Sequence, residues 1–239
     1  LDLPAVIVAG GPRLAGHLGG QSLDLNSAFL GVGAHARGQI SDEELDAIER
    51  ACCPGCGSCA GMFTANTMNC LSEALGMGLP HNGTAPAVSA ERMEIAREAG
   101  RRVMDLLRRG VTARQVLSPA AFLNAVTVDM ALGGSSNSVL HLLAIAHEAG
   151  VQLSLPQIDA ISRRTPQVCK LCPAIGGHHL EDLHRAGGIP ALMAQLAADG
   201  RLETSALTVN GPLGEALSGV RVLEPAVIHP QDAPYAATG

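Results

Sequence analysis

The chain has 239 residues, 47% hydrophobic and 16% charged, enough to bury a sizeable core in one large domain or two small ones. Its 16 Lys plus Arg against 22 Asp plus Glu give a net charge of −6, and no long basic run follows a phosphate backbone, which argues against a nucleic-acid partner. No apolar stretch reaches the roughly 20 residues of a spanning helix, and the first residues lack the pattern of an export signal, so nothing points to a membrane.

With no Trp, one Tyr and three Phe, the core must be built from Ala, Leu, Val, Ile and Met. Leu3 to Ala9 is a continuous apolar run ending in Gly10-Gly11-Pro12, the pattern of a buried parallel strand followed by a glycine turn. Ser41 followed by Glu44 is a capping-box pattern that predicts a helix from about Asp42 toward Arg50. Apolar residues at helical spacing predict a helix within Ala60 to Met77, with Cys59 at its N-terminus, and a second from Ala90 to Arg109 stopped by Gly110.

Pro119 at a first turn starts another helix ending near Gly133-Gly134. Asn137 to Glu148, Pro156 to Arg164 and Ile189 to Ala198 follow as helices. Thr208-Val209 and Val220 to Leu223 are candidate strands, after which Pro225, Pro230 and Pro234 suggest a linker. The expected class is helix-rich α/β with a small parallel sheet.

Of the seven cysteines, five fall into C-x-x-C-type spacings, which reads as metal or redox chemistry in a reducing compartment, hence the cytoplasm, rather than as a disulfide framework. Cys53, Cys56 and Cys59 lie in a glycine-rich loop able to fold around an inorganic centre. Thiolates are soft ligands for zinc or iron–sulfur clusters, and a thiol opening a helix has its pKa lowered by the helix dipole. Cys52 and Cys70 read as packing residues. A structural zinc site completed by Cys169 and Cys172 fits the spacing equally well. His178, His179, Glu181, Asp182 and His184 form a second candidate metal constellation, or a solvated helix start. Thr64 and Asn66 either face the centre bound by Cys59 or satisfy local backbone, and Arg101, Arg102, Arg108 and Arg109 read as a solvated helix face.

The longer string from Cys53 through Gly-Ser-Cys59-Ala-Gly-Met-Phe-Thr-Ala-Asn-Thr-Met to Asn69, continuing through Glu73 to Met77, resembles the dihydroxy-acid dehydratase family. Matching stretches are Val8 to Pro12, Asn82 to Pro86, Asp129 to Asn137 and Leu183 to Pro190, so the resemblance covers essentially the whole chain. It implies a hydro-lyase that converts 2,3-dihydroxy acids to 2-keto acids in valine and isoleucine biosynthesis. It also implies an iron–sulfur cluster, 2Fe-2S or 4Fe-4S, with Cys59 as one thiolate ligand, and Mg2+. Cys53 and Cys56 then need not be ligands.

The resemblance further implies a homodimer and a small-molecule dihydroxy acid as partner. Both ends of the sequence look cut. Residues 1–223 are expected to form an incomplete cluster-binding domain and 224–239 a linker toward a C-terminal domain. The other cluster cysteines and the magnesium ligands would fall outside the chain, leaving this piece inactive alone.

Ser135, Ser136 and Asn137, at a glycine-rich turn opening a helix, are candidates for the substrate's surroundings, although N-capping explains them as well. Two positions depart from the family pattern. Ser136 stands where Thr is usual, and Arg13 where Met is usual. A sugar-acid or phosphogluconate dehydratase shares the implied fold and chemistry, and a non-catalytic zinc-binding domain is the alternative from another class.

Overall fold

The structure, a computed structural model, describes residues 2–174 and 176–239. An antiparallel hairpin, β1 (Gly16–Leu18) and β2 (Gln21–Leu23), turns on Gly19 and Gly20. Helices α1 (Leu25–Ala36) and α2 (Asp42–Ala51) pack on one another beside it. Helix α2 starts where the capping box predicts, with Ser41 and Glu44 bonded reciprocally. After the cysteine-rich bend come α3 (Thr64–Ala74) and α4 (Ala90–Arg109), the latter capped by Ser89 and closed by left-handed Gly110.

The short α5 (Ala113–Val116) leads into α6 (Pro119–Leu132), followed by α7 (Asn137–Ala149), α8 (Leu155–Arg164), α9 (Leu180–Arg185) and α10 (Gly188–Ala198). Strands β3 (Leu207–Thr208) and β4 (Gly211–Pro212) pair antiparallel, and α11 (Leu213–Ala216) closes the series. Helix α6 is mostly apolar, with Asn124, Thr127 and Asp129 the buried polar exceptions, and is buried over most of its length, so it forms the centre of the molecule. Leu71 of α3, Phe122 and Val126 of α6, Leu142 of α7, Leu183 of α9 and Leu192 of α10 close the main core around it. A smaller core of Leu79, Ala85, Ile95, Ala99, Leu106 and Val209 lies under α4.

The helix-rich α/β class holds, and α4, α6, α7, α8 and α10 occur within a residue or two of their predicted limits. The parallel sheet does not. Both two-stranded ladders are antiparallel, and the Leu3 to Ala9 run makes one parallel bridge, Ile7 with Gly78, while Pro12 makes another with Ser58. Joined to Gly78 by one bridge instead of lying inside a sheet, Ile7 and Val8 remain 44% exposed, while Ala5 and Val6 pack against the two cores. Val220 to Leu223 is not a strand either, because Leu223 N–H bonds the carbonyl of Ala186 at a helix end instead of a ladder partner. Downstream of it, Val227 and Ile228 are buried, and Ile228 bridges Cys169.

Candidate cofactor site

The expected helix N-terminus at Cys59 is not formed. Helix α3 begins at Thr64, because the backbone before it is bonded elsewhere: Met62 N–H donates to Cys172 O at 2.6 Å, and Leu180 N–H donates to Ala60 O at 2.8 Å. Cys59 therefore sits in a bend, without the helix dipole behind it.

The bend is fixed from three sides. On the first, Ser58 N–H donates to Gly11 O and Arg13 N–H to Ser58 O, each at 3.0 Å. Gly57 makes this approach possible, since its φ is +120° and a Cβ there would lie 2.6 Å from Arg13 N. On the second side the Arg13 guanidinium donates to three carbonyls of the loop, Cys53 at 3.0 Å and Gly57 and Ser58 at 3.2 Å. The departure from the family pattern at Arg13 thus acts on the packing of the cysteine loop.

The third side is Asn66, fully buried on the first turns of α3. Its Nδ2 donates to the carbonyls of both Cys59 and Gly61, while its Oδ1 accepts from Ser58 Oγ at 2.5 Å. Of the two readings of Asn66, backbone satisfaction is the one observed. The half-buried Cys59 thiol is left on a loop whose carbonyls are tied down.

Thr64 joins this bend to the turn before α7. Asn137 Nδ2 donates to Thr64 Oγ1 at 2.8 Å, Thr64 Oγ1 and Ser135 Oγ lie 3.1 Å apart, and Ser135 N–H donates to Thr67 Oγ1 at 3.0 Å. Ser135 and Asn137 are thereby brought against the N-terminal turn of α3. Ser136 takes the N-cap position of α7 without a side-chain capping bond and is exposed.

Beneath the turn lies Asp129, 4% exposed, with one carboxylate oxygen accepting from Ser138 Oγ and the other, Oδ1, buried without a partner. Burial pushes its carboxyl up to about 6, against the pull of the Ser138 hydroxyl. The native state therefore holds this proton more tightly than the unfolded chain, where the ordinary value is 3.8. The resulting stabilisation is complete below the ordinary value and lost as pH rises through the native one. Asp129→Asn is expected to raise stability at pH 7 by up to about 3 kcal/mol and to flatten the loss between acid and neutral pH. Urea unfolding at pH 4 and pH 7 measures both; an unaltered pH slope in the variant contradicts the assignment.

Among the described residues, Cys59 belongs to no group of three or more potential metal ligands. Among the described residues, two groups of three or more His, Cys, Asp or Glu bring their ligating atoms within 4.8 Å: Asp24 with Cys172 and His179, and His81 with Glu91 and His184. Neither contains two thiols, so the zinc site completed by Cys169 and Cys172 is not assembled. Burial pushes the Cys169 thiol up to about 12; at Cys172 burial and the neighbouring Asp24 do the same, also to about 12. Burial likewise raises Cys70 and Cys52. Cys56 is exposed at the tip of the bend and Cys53 is half-buried.

The histidine constellation is split as well. His179 turns to Asp24, the N-cap of α1, at 3.2 Å. Burial works to raise the Asp24 carboxyl, yet the Ser27 N–H, Cys172 and His179 together hold it below its ordinary value. His178 faces the carbonyl of Ala226 at 3.1 Å, and His184 turns the other way, to Glu91. Sequence reasoning missed Thr67, Asp129 and Asp24, and flagged Arg13 only as a departure.

Fold and bend define a helix-rich α/β chain whose glycine-rich loop carries Cys53, Cys56 and Cys59, with Cys59 on the stretch tied down by hydrogen bonds beside a turn lined with hydroxyls and an amide. The chain belongs to the dihydroxy-acid/6-phosphogluconate dehydratase N-terminal family, whose model matches residues 1–216. It is similar to the dihydroxy-acid dehydratase of Caldanaerobacter subterraneus subsp. tengcongensis, 54% identical over 240 residues, and to that of Nitratidesulfovibrio vulgaris Miyazaki F, 53% identical over 242 residues. The dihydroxy-acid dehydratase of Moorella thermoacetica is 54% identical over 240 residues. Each match covers 100% of this chain and 43% of the relative, so the chain spans well under half the length of these relatives.

Proposed function

We propose that this chain is the cluster-bearing part of a hydro-lyase that dehydrates 2,3-dihydroxy carboxylic acids to 2-keto acids in branched-chain amino-acid biosynthesis. The observation that carries the reading is the Cys59 bend, tied by Arg13 and Asn66 and joined through Thr64 to Ser135 and Asn137. Cys59 is one thiolate ligand of an iron–sulfur cluster, of two or four irons; the remaining ligands and those of Mg2+ come from outside this chain. A thiol on a loop with fixed carbonyls fits that role, because a ligand held in place beforehand loses little freedom when it binds.

An iron–sulfur cluster held in part by Cys59 would, when bound, supply Lewis-acid help to a departing hydroxyl, which is otherwise a poor leaving group. This chain's own residues do the positioning. Asn66 and Arg13 hold the bend that carries Cys59, and Thr64 orients Asn137 and Ser135 by hydrogen bonds. The Ser135 and Asn137 side chains offer hydroxyl and amide groups to a polyhydroxy acid. Asp129 and Thr67 fix the turn from below.

The partner is a small dihydroxy acid, and the assembly is a homodimer in the cytoplasm. No helix is long and apolar enough to cross a membrane. The family also includes phosphogluconate dehydratases, which makes a longer sugar acid the second reading; the names of the relatives cited favour the shorter substrate. Cys59→Ser in the full-length protein, prepared without air, is expected to lose most of its iron, its acid-labile sulfide and its turnover of dihydroxyisovalerate. Unchanged iron and sulfide content sinks the assignment of Cys59, and preferred turnover of aldonic acids favours the second reading.

A further inference from the structure

We infer that His81, Glu91 and His184 form a second metal site, for a zinc-class divalent cation, separate from the Cys59 bend and independent of the dehydratase reading. The three residues come from distant parts of the chain: the loop before Asn82, the first turn of α4, and the end of α9. Their ligating atoms lie within 4.8 Å of one another. Two imidazoles and a carboxylate are the donor set of an open zinc site, and nitrogen donors disfavour the hard, oxygen-seeking Mg2+.

The local arrangement prepares each ligand. His184 Nδ1 lies 3.2 Å from Thr84 Oγ1, and its Nε2 lies 3.1 Å from Glu91 Oε2. In the tautomer that donates Nδ1–H to Thr84 Oγ1, the Nε2 lone pair faces the carboxylate with a cation between them, the outer-sphere support that metal-binding imidazoles use. His81 is the one non-glycine residue at positive φ among those described, +65°, and its ring stands edge-on to His184 with centroids 5.3 Å apart. Its backbone is anchored there, since His81 N–H donates to Glu73 Oε1 at 2.9 Å.

His81 Nδ1 is buried and has no hydrogen-bond partner. A buried imidazole nitrogen without a partner is costly, and a cation bound to it removes that cost. Glu91 is exposed, so the site is open to solvent on one side and leaves room for water as a further ligand.

Co2+ is the probe that separates this site from the cysteines, because thiolate ligation gives a sulfur-to-cobalt charge-transfer band and ligation by nitrogen and oxygen does not. The full-length protein, with its cluster in place and its Mg2+ site saturated with Mg2+, is titrated with Co2+ and followed by difference absorbance and by cobalt retained after gel filtration. One equivalent bound without the sulfur band is expected, with affinity falling about tenfold or more in both Glu91→Gln and His81→Asn. Glu91 is exposed and Asn tolerates the left-handed backbone, so both variants should fold, and circular dichroism checks that they do. No cobalt retained by the parent protein, cobalt carrying only the sulfur band, or unchanged affinity in either variant overturns the site.

Discussion

Replacing Asn66 with Ala is expected to cost about 3 kcal/mol or more of stability and to strip the protein of most of its iron. The amide is fully buried and makes four hydrogen bonds: two N–H donations, to the carbonyls of Cys59 and Gly61, and two acceptances, from Ser58 Oγ and, at 3.4 Å, from Asn69 Nδ2. Ala removes all four and puts nothing in their place. The Gly61 carbonyl is buried and its surroundings give water little access, so the loss is nearer the cost of an orphaned polar group than the small net value of an exchanged bond.

Asn66→Asp should be worse still. It keeps the volume but turns a donor into an oxygen aimed at two carbonyl oxygens. The order of stability, wild type above Ala above Asp, distinguishes hydrogen bonding from packing, because a pure packing role would make the isosteric Asp the milder change. Urea unfolding together with iron per chain gives both readouts. An Ala variant within about 0.5 kcal/mol of wild type and with full iron would show that the bend holds itself without Asn66.

How far the sequence reveals this arrangement depends on the range of the interaction. Helices α2, α4 and α6 announce themselves through neighbours only a few residues apart: Ser41 with Glu44, Gly110 after Arg109, Pro119 and Gly133. Helix α1 does not. Gly31 and Gly33 lower its helix propensity, and Phe29, Leu30 and Val32 face outward, so neither composition nor periodicity marks it.

Cys59 was legible through its motif, but its place in a bend was not. What keeps α3 from starting at Ala60 is a hydrogen bond to Cys172 and another from Leu180, residues more than a hundred positions away. The pairing of Asp24 with His179 has the same character, and so does the division of His179 and His184 between two sites. Local pattern reads the elements, whereas the contacts that set the site join segments whose spacing carries no signal.

Gly134→Ala tests the turn independently of the thiol. The added Cβ would lie 2.0 Å from Asp129 Oδ1 and 2.9 Å from Thr67 Cγ2. Neither wall can yield cheaply. Asp129 is buried and its other oxygen holds Ser138, while the Thr67 hydroxyl is the acceptor for Ser135 N–H.

Relief must therefore come from the turn itself, which carries Ser135 and Asn137 away from Thr64. The expected loss is about 3 kcal/mol, the upper end for overpacking. In the full-length protein turnover should fall while iron is retained, because Asn66 and Arg13 hold the Cys59 bend without help from this turn. Gly100→Ala supplies the contrast. It lies on the exposed face of α4 with nothing within 4 Å of the added carbon, and a helix-interior Gly-to-Ala change there should stabilise by about 0.5–1 kcal/mol. If Gly134→Ala instead behaves like Gly100→Ala, or loses iron in step with activity, the turn and the thiol are not the separable parts that their hydrogen bonds describe.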